Sequence, residues 1–211
     1  MRLVVAAAIL TLAVPARAHA QQKEPLPRFV IDARLVVAKL GQDSITAADL
    51  GLQPTQLPAT GFGGAVGANV YVWRGSKMAL GFGGEGVLAR ATGTPTDSTG
   101  APNGPRVERR LQGVSGTLSL NFGHRQGWSY VSAGLGPLRF QTFTGDLPTG
   151  DAPPFESTPN FGFGARWFAK EHLAFCFDLR FYLTKPADAS GPNPGRERMR
   201  LMVFSAGISI K

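Results

Sequence analysis

The chain has 211 residues, a formal net charge of +8 and one cysteine, Cys176, which excludes an intramolecular disulfide and a cysteine-based zinc site. Its 27 glycines fall inside apolar alternating runs, not in low-complexity blocks. No helix-period apolar pattern lasts more than a few turns, so the composition points to β-structure and against a helical domain.

The N-terminus sets the compartment. Arg2 precedes the apolar run Leu3–Val14, and Pro15-Ala-Arg-Ala-His-Ala20 precedes Gln21. A basic residue, a short apolar core and a small-x-small site form a secretory signal peptide over residues 1–20. Cleavage after Ala20 fits best, and Ala18 is the alternative. Without Arg2 and Arg17 the net charge falls from +8 to +6. The remaining residues, 21–211, suit a single domain. No later stretch reaches the ~18 consecutive apolar residues of a transmembrane helix. For an exported chain the basic balance suggests anionic lipid, lipopolysaccharide or plain solubility, not nucleic acid.

Eight segments then read as strands: 28–40, 61–74, 77–91, 107–123, 127–143, 159–168, 172–184 and 198–210. The connections after the second, fourth and sixth are short. Those near 41–60, 92–106, 144–158 and 185–197 are long and rich in Pro, Gly, Thr, Asp and Ser. This alternation sorts tight turns to one end of an up-and-down barrel and large loops to the other. Outer-membrane barrels have that asymmetry. Within the first long connection, Ser44–Gly51 has the look of one helical turn with Ser44 as its cap. Trp73, Trp128 and Trp167 all lie beside short turns, so an aromatic girdle is expected at that end.

The two faces of each run differ. In the first, Phe29, Ile31, Ala33, Leu35 and Val37 oppose Asp32 and Arg34. In the seventh, Phe175, Phe177, Leu179, Phe181 and Leu183 oppose Ala174, Cys176, Asp178, Arg180 and Tyr182. One face is bulky and apolar, the other small, polar or charged. A soluble barrel or sandwich would bury the bulky face. A membrane barrel turns it to lipid and fills a narrow lumen with the other, which eight strands just enclose. Pro137 interrupts the fifth run and implies a bulge or a change of face, leaving Arg139 and Gln141 unassigned.

Stretches such as Ser129–Gly136, Asn160–Arg166 and Asp178–Tyr182 resemble the OmpA-like, porin-like small outer-membrane barrels of bacteria. The resemblance covers the signal peptide and nearly all the mature chain, as a barrel domain only. It implies an all-β, eight-stranded antiparallel transmembrane β-barrel in the cell outer membrane. The implied partners are membrane lipid, lipopolysaccharide and the outer-membrane assembly machinery. The chain departs from the pattern at its end, Gly207–Lys211, which lacks a terminal aromatic residue.

The inward face collects Asp32, Arg34, Glu85, Arg166, Asp178 and Arg180. Unpaired charge in a narrow lumen is costly, so these six should pair. The pairing makes either a structural plug or a gate whose partners exchange to admit ions or small solutes. His124 and His172 fall at the turn end and read as solvated turn positions. They offer no triad near the loop end, so no enzymatic activity is expected. Gly61-Phe-Gly-Gly64 and Gly81-Phe-Gly-Gly84 precede no helix and are not phosphate loops. No metal or cofactor is expected. The expected role is envelope structure or limited small-solute permeation, with surface binding through the long loops as the alternative.

Overall fold

The computed structural model describes residues 26–124, 126–145, 153–190 and 193–211. The expected signal peptide, residues 1–20, lies outside them. Eight strands form: β1 (Phe29–Lys39), β2 (Thr60–Arg74), β3 (Met78–Gly93), β4 (Val107–His124), β5 (Gly127–Thr144), β6 (Glu156–Phe168), β7 (Leu173–Leu183) and β8 (Arg200–Ile210). Each pairs antiparallel with its sequence neighbour, and β1 also pairs with β8, closing the barrel. Closure leaves no unpaired strand edge, the condition for sheet backbone to stand in hydrocarbon.

Side-chain alternation drives the architecture. In β1 every second residue is buried, and the residues between them stand out from the wall. The outer wall carries large apolar side chains, with Leu35 78% and Phe62 67% exposed. Val66, Leu88, Val114, Phe175 and many others join them. So extensive an apolar surface would aggregate in water and is what lipid tails require.

Two departures from simple alternation matter. Between β2 and β3 the register shifts between Tyr71 and Trp73. Strict alternation from Tyr71 would turn Trp73 inward, but both Val72 and Trp73 stand outside the wall. Pro137, in contrast, neither bulges β5 nor changes its face. The β4–β5 ladder runs from Gly113↔Leu138 to Gly116↔Leu135 and lapses equally on both strands, so register is preserved. Leu138 and Phe140 therefore face inward and are buried, Arg139 keeps the outward parity, and Gln141 shares that parity but is itself buried, at 5% exposure. The sixth strand starts at Glu156, earlier than its pattern suggests, because β5 continues to pair with it up to Leu138.

The long connection after β1 contains α1 (Ser44–Asp49) and a 3-10 turn (Pro54–Gln56). The helix cap is Asp43, not Ser44. Its carboxylate accepts from the backbone N–H groups of Ile45 and Thr46, at 3.1 and 3.2 Å. A carboxylate at this position also meets the positive end of the short helix.

Inward glycines make room for large lumen side chains. A Cβ on Gly164 would lie 2.5 Å from the Tyr130 hydroxyl and 2.3 Å from the Phe177 carbonyl oxygen. Neither neighbour can yield without moving the ladder. Gly164→Val should therefore destabilise the barrel by about 1–3 kcal/mol, read as a lower temperature at which the folded band is lost on an unboiled denaturing gel.

Candidate functional site

The lumen is stratified. At the turn end, Leu26, Val30, Tyr71, Ala79 and Trp128 form an apolar layer with Phe168 packed against it. Tyr71 meets Trp128 edge-on at 6.0 Å, and Trp128 stacks on Phe168 at 5.1 Å. This corrects the expected girdle. Trp73 and Trp167 are each 54% exposed on the outer wall, but Trp128 is 3% exposed and lies inside. It shares its parity with Tyr130 and Ser132, both buried, so the strand turns it into the lumen.

Above that layer, the structure brings all six inward charges together. Arg166 grips Asp32 through two contacts, Nε to Oδ1 at 3.0 Å and Nη2 to Oδ2 at 2.5 Å. The Ser209 hydroxyl donates to the same carboxylate, and the Arg166 guanidinium lies 4.4 Å from the Tyr130 ring centre. The other four charges form a quartet. Arg34 pairs with Glu85 and reaches Asp178 at 3.4 Å. Arg180 lies 2.9 Å from Glu85 and 3.4 Å from Asp178.

Neutral groups add further contacts. Tyr130 donates to Asp178 at 2.8 Å and Tyr182 to Glu85 at 3.1 Å. Arg180 donates to Asn160 at 2.7 Å and to Ser132 at 3.0 Å. Three arginines face three carboxylates, so the layer is neutral. Bidentate geometry and added hydroxyl donors are what allow such charges to be buried. The space left among them is about 10 Å³, room for one water at most.

A third layer lies toward the loops, and it corrects the expectation of a uniformly small and polar inner face. Val36, Leu40, Val87, Leu111, Phe140 and Leu201 are among its buried apolar members. Those from β5 follow from the preserved register at Pro137.

Above this layer the loops form a tied cap. Arg109, fully buried, donates to the carbonyls of Leu40, Gly41 and Pro58 at 3.1, 2.7 and 3.2 Å. Its guanidinium also lies 4.9 Å from the Phe140 ring centre. Arg196 donates to both oxygens of Glu156, at 2.8 and 3.0 Å, and to the Phe140 carbonyl. The first and last long loops are joined where Gly195 N–H donates to Asp49 at 2.7 Å and Ser44 N–H to Glu197 at 3.1 Å. In the loop after β3, the Thr99 hydroxyl and the N–H groups of Thr99 and Ala101 donate to Asp97, holding its carboxyl below the usual carboxylate range. That turn therefore gains its support above ordinary carboxylate pKa values and loses it as pH falls.

Sequence reasoning missed Arg109, Arg196 and Asp43. Arg109 was within reach, because alternation back from Ser115 places it on the inward face of β4. Arg196 and Asp43 belong to loops, where no period assigns a direction. His124 ends β4 and His172 precedes β7, both remote from the six-charge layer.

Comparison with solved structures agrees with this geometry. Neisserial surface protein A is 16% identical over 88% of this chain and 97% of its own, with a TM-score of 0.53. OprG from Pseudomonas aeruginosa is 11% identical over 90% of this chain and 97% of its own, with a TM-score of 0.51. The chain has the fold of the small eight-stranded outer-membrane barrels. At this identity the likeness concerns the fold alone. No family model matches the chain, and no curated protein does.

Two outcomes are expected. Arg166→Met leaves Asp32 buried without its counter-ion and should cost about 3–5 kcal/mol. Adding Asp32→Asn should restore much of that loss, measured by urea unfolding from lipid vesicles. Arg109→Met should release the first loop while leaving the barrel intact, seen as faster protease cleavage between residues 41 and 59 with an unchanged barrel core on the gel.

Proposed function

We propose that the protein is an integral outer-membrane barrel with a structural role in the cell envelope, closed to solutes and without enzymatic activity. On this reading residues 1–20 direct export, and the outer-membrane assembly machinery inserts the mature chain. Lipopolysaccharide and other outer-membrane lipids surround it. The observation that carries the closed reading is the neutral six-charge layer, which leaves about 10 Å³ of free space between two apolar layers. An ion entering would have to break bidentate contacts and cross apolar packing above and below.

The tied cap supports the same reading, since Arg109 and Arg196 hold the loops over the lumen. On this reading Trp73 and Trp167, exposed on the outer wall at the turn end, meet headgroups on the periplasmic side.

Permeation through a gate is the second reading. It is favoured by one feature: Arg34 and Arg180 each contact both Glu85 and Asp178, so partners can exchange without a charge being left alone. Single-channel recording in planar bilayers separates the two. A silent wild type is expected, and Glu85→Ala and Asp178→Ala should remain silent too, because the apolar layers on either side of the quartet stay in place. Discrete openings in the wild type, abolished or altered by those substitutions, would replace the closed reading with the gated one.

A further inference from the structure

The outer wall is not uniform. Strand register lines up outward side chains in rows across β8, β1, β2, β3 and β4. One row reads Ile208, Ala33, Val66, Gly86, Val114. The next toward the loops reads Ala206, Leu35, Gly64, Leu88, Gln112. The third reads Phe204, Val37, Phe62, Arg90, Arg110. Small residues in the first two rows are diagonal neighbours, and an apolar groove opens there. Its floor is at Ala33, Gly64, Gly86 and Ala206, and Leu35, Val66 and Leu88 rise beside it. A second depression shares Leu88 and continues past Phe62 to Arg90 and Arg110.

The upper end of this path is cationic. Arg90 and Arg110 are cross-strand partners on β3 and β4, and Glu108 forms an ion pair with each. Both guanidinium side chains remain about half exposed, at 55% and 46%. Lys39 stands one row further up β1, and Arg139 pairs in register with Gln112 on β5. Among the described residues these four cations, spread over neighbouring rows, share this part of the wall with one carboxylate, Glu108. They lie toward the loop end, the side that faces outward if the chain is an outer-membrane barrel, on which this inference rests.

We propose that this wall binds one phosphorylated glycolipid of the outer leaflet, with an acyl chain in the groove and its phosphates at Arg90 and Arg110. The occupant must be apolar at the level of Gly86 and anionic two rows higher. A lipid with several chains and more than one phosphate meets both demands, and the excess of cations suits it better than a single phosphate. A second copy of the chain suits it poorly. Two barrels share one orientation in the membrane, so a two-fold contact would set Arg90 and Arg110 against their own images.

The test uses the folded full-length mature chain in detergent, with folding checked by the difference between boiled and unboiled mobility. Native mass spectrometry then follows titration with bis-phosphorylated hexa-acyl lipid A or with phosphatidylglycerol. One lipid A should be retained, roughly tenfold more tightly than phosphatidylglycerol. Arg90→Gln with Arg110→Gln should remove that preference. Gly86→Leu should weaken retention with all charges intact. The wall accepts it, because a Cβ there meets Val66 and Val114 methyls at 3.7 and 3.8 Å and the Gly113 carbonyl oxygen at 4.0 Å, all ordinary contacts. Equal retention of the two lipids, unchanged binding in both variants, or a dimer abolished by Gly86→Leu would each overturn the site. A wild type with no mobility difference would instead refute the membrane barrel itself, and the site with it.

Discussion

Eight strands enclose a space that their own side chains must fill, and polar groups within it find partners only among themselves. The neutral layer of Asp32, Arg34, Glu85, Arg166, Asp178 and Arg180 meets that constraint. Each guanidinium contacts at least one carboxylate, and Tyr130, Tyr182, Ser205 and Ser209 add further hydrogen bonds around them, although Arg34 Nε is left without one. The inward glycines follow from the same demand, since Tyr130 fits only because Gly164 has no side chain. Burial of this kind fixes which rotamers and which register are compatible with closure. It adds less to net stability than apolar packing of equal volume would.

The outer wall answers a different solvent. Lipid asks only that side chains be apolar and that no backbone group be left unpaired. Bulk is otherwise free to vary, which is how Gly64 and Gly86 can sit among Leu35, Val66 and Leu88. At the loop end the solvent changes again, and the wall switches from apolar residues to Lys39, Arg90, Glu108 and Arg110 within two rows. The cap is governed by neither solvent alone. Arg109 satisfies three loop carbonyls that would otherwise be stranded over an apolar layer.

Much of this was legible in the sequence, because alternation and loop length are both direct consequences of a two-faced, up-and-down wall. The strand count, the loop asymmetry and the six inward charges all rest on those two signals. What escaped them has a physical cause in each instance. Trp128 was read by its level along the barrel, although its parity with Tyr130 turns it inward. Trp73 reaches the outside only through a register shift that no single-strand pattern reveals. Pro137 suggested a lost face, but the ladder skips equally on both strands and keeps it. Asp43 outcompetes Ser44 as a cap because its two carboxylate oxygens serve both N–H groups and the Thr46 hydroxyl.

The long sequence separation inside the charge layer bears on how such a wall can enter a bilayer. Asp32 and Arg166 are 134 residues apart, and Asp32 and Ser209 are 177 apart. A sheet holding only the first few strands would expose Asp32, Arg34 and Glu85 along an open concave side, with two of their three arginine partners still unplaced. Carrying that half-built surface into hydrocarbon is prohibitive. The charges therefore stay in contact with water until β6, β7 and β8 arrive. Insertion and ring closure are then one concerted event, with the first and last strands joining as the interior neutralises.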